Sequence, residues 1–352
     1  MAAQLIIAID TMGGDFGPLT TIPGVDIAAQ RHPDAHFILF GDATAMAAPL
    51  AKAKYLQGRA ELRNAEVTVT MDEKPSQALR RGRYRSGMWL AIDAVRQGEA
   101  AAVVSAGNTG ALMAMSRFIL RTLPGIERPA IAAVWPTITG ECIVLDVGAT
   151  VGADARQLVE FAIMGEAMSS CLFGKDHPLV GLLNIGSEEV KGNDSVKEAA
   201  RLLREMKLPL RYVGFVEGND ISKGAVDVVV TEGFTGNVAL KTAEGTAKMI
   251  TTLLRDAMTS TIISKVGAFL SRGAFSAFRE RFDPRKHNGG VFLGLNGVVV
   301  KSHGGTDAIG FATAIEVGID MVRNGLIQRI AADVAEVHGL LPMGDQHGEM
   351  VQ

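Results

Sequence analysis

Two hexapeptides share one pattern: Ser105-Ala106-Gly107-Asn108-Thr109-Gly110 and Thr231-Glu232-Gly233-Phe234-Thr235-Gly236. Each follows a run of small or β-branched apolar residues and precedes an apolar stretch with helical spacing. That order predicts a strand, a glycine turn and a helix N-terminus, where N–H groups lacking intrahelical partners meet the positive end of the helix dipole. The chemistry on offer is the binding of an anion, phosphate above all. Ser105, Asn108, Thr109, Thr235 and Asn237 are its side-chain donors, and Gly107, Gly110 and Gly236 allow close approach. One such loop is a common way to close a βα unit, whereas two matched copies favour a shared anion site.

Other chemistry-bearing residues fall at the same kind of junction. The strand over Leu5–Ile9 ends in Asp10 and runs into Gly13, Gly14 and Asp15, placing a carboxylate at the carboxyl edge of a sheet, where α/β ligands bind. Asp15 suits either a catalytic role or a helix N-cap. Val298–Val300 delivers Lys301 and His303, and Gly304-Gly305 then starts a helix. His303 is the histidine with a case for proton transfer, a buried structural imidazole being the alternative. Lys191 and Asn193 close a further strand, and Lys241 sits early in the second helix, as a cap on the anion or as a surface lysine. All these strands ending in glycine plus a polar group lead to the expectation of a single cleft at one sheet edge.

The elements that must position these residues follow from composition and pattern. With 352 residues, 47% apolar, 40 glycines and 5% aromatics, the chain suits a sheet and helices packed through small side chains. The expectation is one catalytic α/β unit over residues 1–342, with a helical hairpin at 244–288 within it and a polar tail at 343–352. A net charge of -3 provides no global basic field and argues against nucleic acid. Cys142 and Cys171, the two cysteines, form neither a disulfide framework nor a metal motif, which fits a reducing cytoplasm. The first ten residues lack the basic start of a signal peptide, and no apolar run reaches membrane-span length. The glycines at 13, 14 and 17 do not form a dinucleotide fingerprint.

Two stretches point to partners. Arg80, Arg81, Arg83 and Arg85 fall within six positions and suit a phosphate clamp, an acidic protein surface or a solvated loop. Ile262, Ile263, Val266, Phe269 and Leu270 form one helical face, which Phe275 and Phe278 continue, interleaved with basic residues. Such a hairpin suits a subunit interface or an anionic bilayer, interface packing being the commoner use.

DTMGGDFGP, MDEKPSQALR, VVSAGNTGALMA, LDVGAT, VGLLNIGSEEVKGN, VEGNDI, VVVTEGFTGNVALKT and GVVVKSHGGTDA occur in this order from about residue 5 to residue 325. In this the chain resembles the bacterial acyl-[acyl-carrier-protein]:phosphate acyltransferases of phospholipid synthesis. It departs from their common pattern at Tyr84-Arg85-Ser86-Gly87-Met88, at Thr150 and at Gly305-Thr306. The resemblance implies a three-layer α/β/α Rossmann-like sandwich, similar to the isocitrate and isopropylmalate dehydrogenases and phosphotransacetylase, and a homodimer. It implies reversible acyl transfer from acyl carrier protein to inorganic phosphate, with no cofactor and no metal. It also implies a cytoplasmic enzyme that visits the inner face of the cell membrane, where a glycerol-3-phosphate acyltransferase consumes the product.

In that reading phosphate attacks the thioester directly in a ternary complex. Asn108 or neighbouring N–H groups stabilise the oxyanion, and Lys301 and both loops hold phosphate. His303 or Asp15 takes the proton, the arginines meet the carrier protein, and the hairpin forms an apolar exit. A nicotinamide-dependent dehydrogenase on a similar fold and a non-catalytic carrier-protein or membrane scaffold are the competing classes.

Overall fold

A computed structural model describes residues 4–206, 208, 210–273, 275, 283 and 285–338. Eleven strands form one sheet: β1 (Leu5–Asp10), β2 (Ala35–Gly41), β3 (Ala60–Asn64), β4 (Ala102–Ser105), β5 (Ala130–Pro136), β6 (Glu141–Leu145), β7 (Leu179–Leu183), β8 (Arg211–Val216), β9 (Val228–Val230), β10 (Gly290–Leu293) and β11 (Val298–Lys301). Their spatial order is β3-β2-β1-β4-β11-β10-β5-β6-β9-β7-β8.

Side-chain alternation sorts each strand between two cores. Ile7, Ile9, Val104, Ile143, Leu145, Val228, Val230 and Val300 belong to one face, packed by the helices Pro18–Arg31, Ala155–Phe173, Ala308–Arg323 and Leu326–His338. Ala8, Val103, Val144, Val229 and Val299 belong to the other, packed by Gly87–Arg96, Thr109–Leu120 and the start of Gly233–Thr259. The result is a three-layer α/β/α sandwich.

Strand direction corrects one expectation. β3, β2, β1, β4 and β11 are parallel, but β10 is antiparallel to β11, β5 to β10, and β6 to β5. β9, β7 and β8 then follow β6 in parallel. Three reversals therefore put the carboxyl ends of β6, β7, β8 and β9 on the edge opposite that of β1, β4 and β11. The glycine loops do not share one edge. The helical hairpin is also longer than its apolar stripe predicts, because its first helix, Gly233–Thr259, starts at the second glycine loop.

Candidate active site

β1, β4 and β11 are neighbours, and their registers align Asp10 with Ser105 and Ser105 with Lys301. Three polar side chains thus end three adjacent strands in one row. By alternation they point to the same face as Ala8, Val103 and Val299. Ser105 Oγ donates to Asp10 Oδ2 at 2.7 Å and accepts the Gly107 N–H at 3.0 Å. Lys301 Nζ donates to the carbonyls of Ala106, at 3.3 Å, and Ser302.

Burial sets the electrostatics of this row. It pushes the Asp10 carboxyl up to about 6, against the Ser105 hydroxyl, the Met12 N–H and the Lys301 charge. Burial likewise brings Lys301 down to about 8, opposed by the charges of Asp10 and Asp15 and assisted by Lys241. The pair is poised so that modest changes around it alter its protonation.

The glycines of three loops let the backbones converge over this row. A Cβ at Gly13 would stand 2.5 Å from the Gly107 N, and Gly14 has φ +87. Asp15 N–H donates to the Gly304 carbonyl at 2.9 Å, joining the β1 loop to the β11 loop. The Asp15 carboxylate lies beside Gly305, where a Cβ would meet Oδ2 at 3.1 Å. His303 is exposed, and its Nδ1 accepts the Gly305 N–H at 3.2 Å. That bond assigns the proton of the neutral ring to Nε2, so its outer nitrogen is a donor.

Asn108 caps the helix Thr109–Leu120: its Oδ1 accepts the Ala111 N–H at 2.9 Å, which leaves the Thr109 and Gly110 N–H groups ahead of the intrahelical ladder. Its Nδ2 donates to the carbonyls of Met71, at 2.8 Å, and Glu73, at 3.0 Å. The carboxamide is therefore committed to holding the 71–75 strap. A Cβ at Gly110 would meet Pro75 Cγ at 2.7 Å, and one at Gly304 would meet Met71 Cε at 2.8 Å. The strap bridges the β4 and β11 loops.

The second glycine loop is built differently despite its matching sequence. Glu232, standing where the first loop has Ala106, caps its own helix by accepting the N–H groups of Phe234 and Thr235, and also that of Gly152. Burial opposes ionisation of this carboxyl, but the Thr235 hydroxyl, followed by those N–H groups, holds it below its usual range. Beneath it Asp146, fully buried, accepts the N–H groups of Ile131, Gly148, Ala149 and Thr150 and the Thr150 hydroxyl. A Cβ at Gly236 would stand 1.9 Å from the Asp146 carbonyl, and Asn237 Nδ2 donates to the Val147 carbonyl at 3.1 Å. The protein's own carboxylates occupy this turn.

Lys191 and Asn193 lie at that same edge, Asn193 capping the helix Asp194–Glu205 through the Val196 N–H. Thr235, Gly236, Asn237, Lys191 and Asn193 are thus not brought to the Asp10 row. Lys241 stands about 12 Å along the Gly233–Thr259 helix from that edge, exposed and paired with Glu244 at 2.8 Å, and its charge adds a small push to the lowering of Lys301.

The basic run divides. Arg81 pairs with Glu73 at 2.6 Å and Arg85 with Glu66 at 2.9 Å, whereas Arg83 stacks on aromatic rings and Arg80 is exposed. Ile262, Ile263, Val266, Phe269 and Leu270 are all exposed, Phe275 is half-buried, and Phe278 lies outside the described residues. No helix among the described residues is long and apolar enough to cross a membrane.

Two side chains that organise these loops escape a reading of the sequence. Asn288, buried in the turn before β10, donates from Nδ2 to Ser302 Oγ at 2.8 Å and the Gly310 carbonyl at 2.7 Å, and accepts the His303 N–H at 2.9 Å. It fixes the loop carrying Lys301 and His303, and its only signal is an Asn-Gly-Gly turn. Asp146 is the other, and only its place at a strand end marks it.

Comparison with known proteins bears on the family and the fold. The family described as "Fatty acid synthesis protein" matches residues 5–329. Phosphate acyltransferase from Sinorhizobium fredii is 61% identical over 337 residues, 96% of this chain and 97% of the relative. That from Afipia carboxidovorans is 62% identical over 331 residues, 94% of each. Among solved structures, a phosphotransacetylase from Streptococcus pyogenes superposes with a TM-score of 0.62 at 16% identity, over 92% of this chain and 95% of that one. EutD phosphotransacetylase from Staphylococcus aureus gives 0.59 at 18%, over 90% and 94%. These two likenesses speak for the fold. The near-full-length identity to its relatives decides the family: the chain belongs to the phosphate acyltransferases.

Proposed function

We propose that this chain transfers a fatty acyl group from acyl carrier protein to inorganic phosphate, reversibly, giving acyl phosphate for phospholipid synthesis. Transfer to phosphate is the activity its family name carries. The observation that supports this site for it is the Asp10–Ser105–Lys301 row beneath the start of the Thr109–Leu120 helix. A half-buried cation beside unpartnered N–H groups suits a tetrahedral dianion.

The Thr109 and Gly110 N–H groups, Lys301 and the glycines at 13, 14, 107 and 304 form the phosphate cradle. A phosphate oxygen attacks the thioester carbon. The C–O bond forms as the carbonyl π electrons move onto oxygen, and collapse of this tetrahedral oxyanion breaks the C–S bond, so that the thiolate departs on the carrier's prosthetic arm to be protonated by solvent. Asp15 takes the phosphate proton, and His303 donates from Nε2 to hold the group. The Asn108 backbone N–H, left over by Ser105 and the phosphate, receives the oxyanion, an interaction commonly worth about 3 kcal/mol. Asn108 positions the strap that closes the site. Most of the acceleration comes from bringing two already reactive groups together.

The catalytic α/β unit spans residues 1–342 in this reading, and the hairpin begun at Gly233 is its appendage. Its exposed apolar face serves a homodimer contact and an exit towards an anionic membrane surface, where a glycerol-3-phosphate acyltransferase consumes acyl phosphate. The enzyme works in the cytoplasm, peripherally attached. Hydroxylamine trapping of acyl phosphate, made from acyl carrier protein thioester plus phosphate, tests the assignment; failure with folded protein sinks it.

A further inference from the structure

Helices Pro75–Gly82 and Thr109–Leu120 both begin at the active site, where Pro75 meets Gly110, and run together, Gly82 meeting Met115. At their far ends the chain exposes an aromatic and cationic cluster. The Arg83 guanidinium lies 5.2 Å from the Phe118 ring centre and 5.0 Å from that of Tyr84, and Arg121 lies 5.9 Å from the same Phe118 ring. Tyr84 is 63% exposed and Phe118 42%, and both arginines are exposed. Arg80 and Arg117, exposed on the same two helices, add their charges.

These four arginines differ from their neighbours. Arg81, Arg85 and Arg96 each pair with a carboxylate, whereas no carboxylate among the described residues lies within ion-pair reach of Arg80, Arg83, Arg117 or Arg121. Stacking on Phe118 holds two guanidiniums in place, so little side-chain entropy remains to be lost on binding. The site and the cluster are joined by one helix whose length from Asn108 to Arg117 and Arg121 is about 13 to 20 Å. That is comparable to an extended phosphopantetheine arm.

We propose that this cluster is the docking surface for the acidic carrier protein, with Phe118, Arg83 and Arg121 at its centre and the prosthetic arm running back along the helix to the Gly107–Gly110 turn. This rests on the acyl transfer proposed above. It replaces a contact through the whole run Arg80–Arg85, half of which is neutralised internally, with one assembled from two helices. Charge complementarity selects the occupant: unpaired guanidiniums around a ring fit acidic side chains on a small protein.

The test compares two donors on the full chain, acyl carrier protein thioester and the same acyl group on free pantetheine. Arg83→Ala/Arg121→Ala should raise KM for the carrier-protein donor about tenfold, and should lower its kcat/KM relative to the pantetheine donor. The wild-type KM should rise with salt, and the double variant's should rise less. Arg83→Lys/Arg121→Lys should recover part of the loss, and circular dichroism confirms folding. An unchanged KM in an active double variant overturns the docking surface alone, including when that variant instead loses binding to anionic vesicles or changes its oligomeric state. Wild-type protein inactive with both donors overturns the acyl transfer and this surface with it.

Discussion

Asp10 and Lys301 stand in the same row of three adjacent parallel strands, with only Ser105 between them. Burial moves their two pKa values towards each other, Asp10 up to about 6 and Lys301 down to about 8. The row is charged on both sides only between those values.

Activity should follow that window. The profile of kcat/KM for phosphate is expected to be bell-shaped, with apparent limbs near 6 and 8 that belong to the coupled row. Arg retains its proton, so Lys301→Arg should abolish the alkaline limb whatever its residual rate. A profile still falling above pH 8 in that variant would count against Lys301.

Stability should run the other way. A raised Asp10 pKa means the folded chain keeps a proton that the unfolded chain releases between about 4 and 6, so this contribution is lost as pH rises through that range. The stability contributed by the lowered Lys301 pKa is present above about 10.5 and is lost as pH falls towards 8. Asp10→Asn is therefore expected to be inactive yet at least as resistant to urea as wild type at pH 7. Marked destabilisation at pH 7 would refute this.

Ser105→Ala removes a buried hydroxyl that serves Asp10 and the Gly107 N–H. The expected loss is about 1–3 kcal/mol in denaturant unfolding. The acid limb should also move up, because the hydroxyl is the largest of the contacts that oppose the rise in the Asp10 pKa. A limb that stays put would separate it from Asp10.

The two glycine loops should respond differently. Asn108→Asp keeps the helix cap but loses both donors to the strap and places a negative charge beside the phosphate cradle. Phosphate KM should rise at least about tenfold, with little change in Tm. Glu232→Ala should cost about 1 kcal/mol of stability through its lost cap, with phosphate KM unchanged. Equal effects on phosphate KM from both would revive a site shared between the loops.

Much of this was legible locally. The strand before Asp10, the Asn108 turn and the Lys301–His303 pair are contiguous features whose residue types state their chemistry. The reversal of the sheet was not, because β10 pairs with β5, more than 150 residues earlier in the chain, and no local signal announces so distant a partner. The matched hexapeptides misled for a specific reason. Ala106 cannot cap a helix and Glu232 can, so the second helix starts at Gly233 while the first waits until Thr109. Of the departures from the family pattern, Thr150 links Asp146 to the Gly233 N–H, Thr306 accepts from Asn288, and Tyr84 meets Trp89 edge to face.

In the proposed reaction, phosphate bound by Lys301 beneath the Thr109–Leu120 helix attacks an acyl thioester. The most direct measurement is hydroxylamine-trapped acyl phosphate from long-chain acyl carrier protein, with and without inorganic phosphate, in wild type and Lys301→Met. Phosphate-dependent product is expected in wild type, with a rate at least about a hundredfold lower in the variant, from lost charge stabilisation at the reacting group. Wild-type turnover in a folded Lys301→Met protein, with unchanged phosphate KM, would contradict it.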